Sequence, residues 1–318
     1  MIVFWKVFES ILILLGIGTI GFTIISRKIV PIKILEVLSP LILDIALPCL
    51  IFTNIIYRFD PVSFPNWWML PLWWIAFTVI SILFALIGMR LIEKKNRPEL
   101  GMSLLYPNAI FVPMVIIQNL FGEKSSILVE LFLFTLFFPV FIFNTYHFFF
   151  PKKSSLKNKF NWSKFLNPFL IVTILAVALR LSGLSQNIPD VFLSITKILG
   201  NTALPLILLL IGGNVYVDYL KKGKIQIKPI LTFVALKNFL FPTIILLLLI
   251  WIKPSFSVAF LIFLLSVVPP ITAVPILVGK AGGNTLISNQ FLISSFLVSI
   301  ISIPFAIWVF EMFFNIPY

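Results

Sequence analysis

The segment Gly101–Gly122, GMSLLYPNAIFVPMVIIQNLFG, is apolar enough to cross a bilayer yet carries Pro107 and Pro113 near its middle. A proline lacks the amide hydrogen and its ring collides with the carbonyl four residues earlier, so one continuous helix is excluded. In hydrocarbon, open backbone is tolerated only where protein buries it or a watery cavity borders it. Asn108 stands in the gap. The segment Ala259–Gly279, AFLIFLLSVVPPITAVPILVG, repeats the pattern with Pro269, Pro270 and Pro275, and in both segments the outer prolines are six residues apart. Interrupted hydrophobic segments in corresponding halves of a chain predict a substrate site where they cross, near the bilayer midplane.

Composition settles the class. Of 318 residues, 60% are hydrophobic and 11% charged, whereas a soluble domain is about half apolar and a quarter charged. The chain reads as an integral membrane protein whose first partner is the lipid bilayer. Its net charge of +13 does not indicate nucleic acid, because the basic residues fall in short clusters between apolar runs. The single cysteine, Cys49, lies inside a span and has no partner for an internal disulfide. The first 25 residues read as a transmembrane helix rather than a leader, since no small-residue cleavage site follows the apolar run.

Spans of about 20 apolar residues fall at 3–25, 35–56, 67–91, 100–121, 127–149, 165–183, 191–216, 228–251, 256–280 and 287–313. The expected fold is an all-α polytopic membrane protein of ten transmembrane helices, with broken, crossing spans 4 and 9. Only 151–164, PKKSSLKNKFNWSK, is polar and long enough for a linker. It divides the chain into a first five-helix repeat at 1–150 and a second at 165–318, together one membrane domain. Ala46-Leu47-Pro48 in span 2 matches Ala203-Leu204-Pro205 in span 7 at an offset of 157; the paired prolines of spans 4 and 9 match at 162, and Pro139 and Pro304 at 165. Five is odd, so the second copy enters the membrane from the opposite face, as an inverted repeat.

Orientation follows from the positive residues. The loops after spans 1, 3, 5, 7 and 9 hold 17 of the 24 lysines and arginines, among them Lys152, Lys153, Lys157, Lys159, Lys164, Lys221, Lys222 and Lys224. Those loops are expected in the cytoplasm, with both termini outside. Trp67, Trp68, Trp73 and Trp74 then form part of an outer aromatic belt.

Enzymatic readings find no support: there is no HExxH, GxSxG, phosphate-binding glycine loop or cysteine pair, and the single histidine, His147, lies near a span end. No cofactor or metal is expected. Polar residues inside the membrane are costly and face a cavity or the bundle interior. Asn108 suits a carboxylate, sitting where half-helix N-termini aim their positive ends; it equally suits a structural cap. The prolines shape the break in either case. Asp44 and Lys237 fall near mid-depth in spans 2 and 8. They form either a buried ion pair or a functional couple in which Lys237 attracts an anion and Asp44 titrates or coordinates a cation. The membrane acids Asp44 and Glu130 are too few and too separate in sequence to argue a catalytic dyad, and Asn54, Gln118, Asn144, Asn238 and Asn289 are weaker candidates, since interhelical hydrogen bonds are the ordinary use of such groups.

ILEVLSPLILDIALPCLIFTNI in span 2, YPNAIFVP in the first break, NPFLIVTILAVAL in span 6, LGNTALPLILLLIGG in span 7 and SVVPPITAVPILVGKAGGN in span 9 together resemble the auxin efflux carrier family. That family includes the plant PIN exporters and many bacterial and archaeal permeases. The resemblance implies ten helices with both ends outside, scaffold and transport parts moving like an elevator, and a homodimer through the scaffold. It also implies an organic anion, a carboxylate in particular, bound where spans 4 and 9 cross. Asn108, Pro107, Pro113, Pro269, Pro270 and Pro275 occupy the crossover positions, and Lys237 falls where members often have a basic residue. The stretch PNAIFVP is two residues shorter than the family's spacing and lacks its glycine, and Asp44 replaces a usual Asn. The expected function is a secondary transporter moving a small organic anion across the cytoplasmic membrane, of efflux type; the rivals are a sodium- or proton-coupled symporter of bile-acid-transporter-like fold and a non-transporting receptor.

Overall fold

The computed structural model describes residues 2–122, 125–150, 167–220 and 224–316. The expected linker at 151–164, and with it Lys152, Lys153, Lys157, Lys159 and Lys164, lies outside the described residues, as do Lys221 and Lys222. Every regular element among the described residues is helical: α1 (Ile2–Ser26), α2 (Ile34–Arg58), α3 (Trp67–Leu91), α4 (Arg97–Leu105), α5 (Phe111–Phe121), α6 (Ile127–Phe149), α7 (Pro168–Leu181), α8 (Asp190–Val217), α9 (Ile227–Ile252), α10 (Phe256–Val267), α11 (Val274–Lys280) and α12 (Thr285–Glu311). Seven of them, α1, α2, α3, α6, α8, α9 and α12, are long and apolar enough to cross a membrane. Shorter apolar helices are α5, α7 and α10.

Two long helices widen locally ahead of a proline. In α2 a π turn spans Leu41–Ala46 before Pro48, and in α9 another spans Ala235–Leu240 before Pro242. A proline cannot bond the carbonyl four residues back and its ring crowds that oxygen; a wider turn relieves both. Span 5, expected as one run, is interrupted. Thr135 leaves the helix, Phe138 N bonds Thr135 O at 2.9 Å in a tight turn, and the helix restarts with Pro139 in its first turn. Pro304, its expected counterpart, lies inside uninterrupted α12, so the matched prolines do different things. Trp74 also departs from the expected belt: it is buried, edge-on to Phe141 at 5.7 Å.

The tightest packing joins α1 to α8, where small residues let two backbones touch. A Cβ on Gly21 would lie 2.2 Å from Leu209 O. Helix α2 packs on α7 and α8, while α12 packs on α1, α4, α9 and α11. Hydrogen bonds tie the loops at each end of this bundle. At one end Asn119 Nδ2 donates to Lys6 O at 2.9 Å and Arg180 Nε to Phe59 O at 2.8 Å. At the other, Asn284 N donates to Glu99 Oε1 at 2.7 Å and Asn96 Nδ2 to Gln226 Oε1 at 3.0 Å.

Candidate functional site at the crossing of two broken helices

Helices α4 and α5 are the halves of one broken segment, and α10 and α11 of another. The two breaks cross antiparallel at Pro107 and Pro270. Asn108 N donates to Pro269 O at 2.8 Å and Ile271 N to Tyr106 O at 3.0 Å. In this pairing the crossing residues need no amide hydrogen of their own, which is why prolines fit there, while their neighbours at 108 and 271 donate. Pro113 and Pro275 sit in the first turns of α5 and α11, where a missing N–H costs nothing. All five prolines are buried. Having no polar side chain, they shape the gap and leave recognition to their neighbours.

Asn108 is fully enclosed. Its Oδ1 accepts from Phe111 N at 3.3 Å and Val112 N at 3.5 Å, capping α5. Its Nδ2 is buried with no hydrogen-bond partner. The cap and the ligand reading therefore use different atoms of one side chain. Asn108 takes up the first two amides of α5, Pro113 has none and Met114 N bonds Ile110 O at 2.9 Å, so what the head of α5 offers here is the positive end of its helix dipole rather than free N–H groups. Tyr106 is held alongside by a 2.8 Å hydrogen bond between its OH and Thr145 Oγ1.

Lys237 lies behind the crossing, 1% exposed. Its Nζ donates to Ser266 O at 3.1 Å and stands 5.4 Å from the Phe241 ring centroid. Ser266 is in the last turn of α10, whose carbonyls have no partners within the helix, so Lys237 closes the end of a half-helix three residues before Pro269. The considered pair with Asp44 is not formed. Asp44 lies on an exposed face of α2 beside Leu41, Leu43 and Ile45, whereas Lys237 is enclosed in the core. Asn238, next to Lys237, bonds Ser299 Oγ at 3.2 Å and Ser302 Oγ at 3.3 Å and accepts from Ser295 Oγ at 3.0 Å. That is ordinary stitching of α9 to α12.

A cavity of about 800 Å³ opens between α2, α8, the far end of α5 and the turn before α6. Its polar wall includes Asn54, Arg58, Gln118, Ser126, Lys197 and Asn201. Asn54 Nδ2 anchors to Leu50 O at 2.8 Å while Oδ1 accepts from Arg58 Nη1, which steers the guanidinium. Two cations and three amides on one wall favour an anion. Of these, Asn54 and Gln118 are expected from the sequence, whereas Arg58, Lys197 and Asn201 are not. The signal was available: Lys197, Gly200, Asn201 and Leu204 recur at helical spacing, as do Leu50, Asn54 and Arg58 on α2.

A helical membrane protein with crossed, proline-broken helices and a cation-bearing cavity has the make-up of a transporter. Comparison with known families agrees: residues 6–159 and 151–307 match the membrane transport protein family. The chain belongs to this family, which is that of the auxin efflux carriers. No curated protein matched the chain.

Proposed function

We propose that this protein is a secondary transporter that moves a small organic anion, a carboxylate, by elevator-type alternating access. The observation that carries the reading is the antiparallel crossing at Pro107 and Pro270, with the unpartnered Nδ2 of Asn108 beside the positive end of α5. The cavity with Arg58 and Lys197 supplies an anion-attracting approach from one face. Adding α7 and the two broken segments to the seven long helices makes ten membrane crossings, which supports a five-plus-five inverted repeat. In the cytoplasmic membrane, the lysines and arginines at the Glu99 end would face inward and both termini outward. An uncoupled anion then leaves downhill, each charge being worth about 2.3 kcal/mol per 100 mV. Flux of mono- and dicarboxylates in proteoliposomes tests this: saturable flux is expected, and its absence from folded protein for every carboxylate would overturn it. A sodium gradient across the same vesicles separates the symporter reading.

Asn108→Ser should weaken carboxylate affinity by about tenfold or more, the worth of a hydrogen bond to a charged group. Serine keeps an acceptor for the α5 cap, so the melting temperature should barely move. A thermal-shift titration reads both. Lys197→Ala should raise the half-saturating concentration a few-fold at low salt, with the difference vanishing at high salt, because an exposed charge acts by steering.

A further inference from the structure

The transporter reading leaves one buried acid without a task. Glu130, in the first turn of α6, is 7% exposed. Its Oε1 lies 3.5 Å from Ser126 Oγ, and Ser257 of α10 is the other hydroxyl beside it. Its Oε2 is buried with no hydrogen-bond partner. Ser126 also lines the 800 Å³ cavity, so the carboxyl stands one hydroxyl away from water.

The elements packed against this part of α6 are α2, α3, α5 and α10. Helices α5 and α10 contain no charged or titratable residue, and α3 holds only Arg90, at its far end. The packed part of α2, Leu47–Arg58, contributes Cys49, Tyr57 and Arg58, of which Tyr57 and Arg58 line the cavity. Glu123 and Lys124 lie outside the described residues. Among the described residues Glu130 is therefore the one acid on these walls, and a bare carboxylate oxygen with no donor is strongly disfavoured there.

We infer that Glu130 is the proton-binding group of this carrier, an inference that rests on the transporter reading above. The carboxyl O–H breaks, the proton passes to a cavity water, and a carboxylate remains; the reverse step restores the acid. An ionised Glu130 repels an anion in the cavity and a protonated one does not, so each ligand strengthens binding of the other. With one proton aboard, a monocarboxylate crosses without net charge. Its direction then follows the anion and proton gradients together, and outward movement needs the product of anion and proton concentrations to be higher inside.

The test uses purified protein in liposomes with a trapped pH dye and an imposed carboxylate gradient. In the wild type, anion flux carries protons, and apparent affinity strengthens by up to about tenfold per unit fall in pH. Glu130→Gln should lose proton movement and pH dependence while anion flux persists, and Glu130→Asp should keep both. Proton movement in Glu130→Gln equal to wild type, or a wild-type affinity flat in pH, would overturn the assignment. Infrared spectra decide it without a substrate: the carbonyl stretch of a protonated carboxyl should be present in wild type and absent from Glu130→Gln, and identical spectra would overturn it. A wild type that shows the band but carries no carboxylate would overturn the transporter reading alone.

Discussion

Lys237→Met is expected to cut carboxylate flux by ten- to a hundredfold while the protein still inserts and extracts as a folded species. Methionine fills most of the lysine's volume with apolar atoms, so the packing around a side chain that is 1% exposed survives. What disappears is the donor to Ser266 O. A buried carbonyl left unpaired costs about 1–3 kcal/mol, which is about ten- to a hundredfold in any equilibrium that depends on it. The dependent equilibrium is the geometry of the crossing, because Ser266 lies just before Pro269, whose carbonyl holds Asn108 N at 2.8 Å. Arginine should not rescue the loss. Its planar fork is longer and broader than an ammonium, and a fully enclosed site has no room for it. Lys253→Met, at an exposed position past α9, is the control and should leave flux unchanged. Flux of Lys237→Met within twofold of wild type would remove Lys237 from the mechanism.

The breaks were legible because proline chemistry is local: Pro107 and Pro270 exclude a continuous helix whatever surrounds them. That the two broken segments would cross was expected from their matched spacing; that Pro107 would lie opposite Pro270 was not. The hydrogen bonds through Asn108 and Ile271 were not, since they need the two chains' relative register. The relation of Asp44 to Lys237 was illegible for a geometric reason. Each lies within a π turn, and one extra residue in a turn rotates everything beyond it by about 100°. A helical wheel drawn from the sequence therefore assigns the wrong face, and two mid-depth charges that look paired on paper end on an exposed surface and in the core. Arg58 was overlooked because it falls just past the expected end of span 2, where basic residues are commonplace, and Lys197 because a single lysine in a span end reads as snorkelling. Their shared cavity exists only once α2 and α8 are packed.

Gly212→Ala should cost more stability than any other single-methyl insertion considered in this bundle. A Cβ at position 212 would lie 1.8 Å from Gly18 O, 2.6 Å from Gly18 C and 2.8 Å from Gly18 Cα. These are main-chain atoms, which cannot rotate aside, so α1 and α8 must separate by more than an ångström along a contact that both backbones share. Overpacking of this kind costs about 1–3 kcal/mol, and a fall of roughly 5–10 °C in the melting temperature of detergent-extracted protein is expected. Two neighbours set the scale. Gly213→Ala meets the end of the Leu35 side chain at 2.7 Å, a group that can swing away, and should cost less. Gly16→Ala meets nothing within 4 Å, and alanine favours a helix over glycine by about 1 kcal/mol, so it should be neutral or stabilising. The ordering matters for mechanism as well as stability. Helices that touch backbone to backbone cannot slide past one another without first parting, so in the elevator motion proposed above α1 and α8 would travel or stay as one body. A Gly212→Ala protein as stable as wild type would show that the two helices already part with ease, and that frame would have to be sought elsewhere in the bundle.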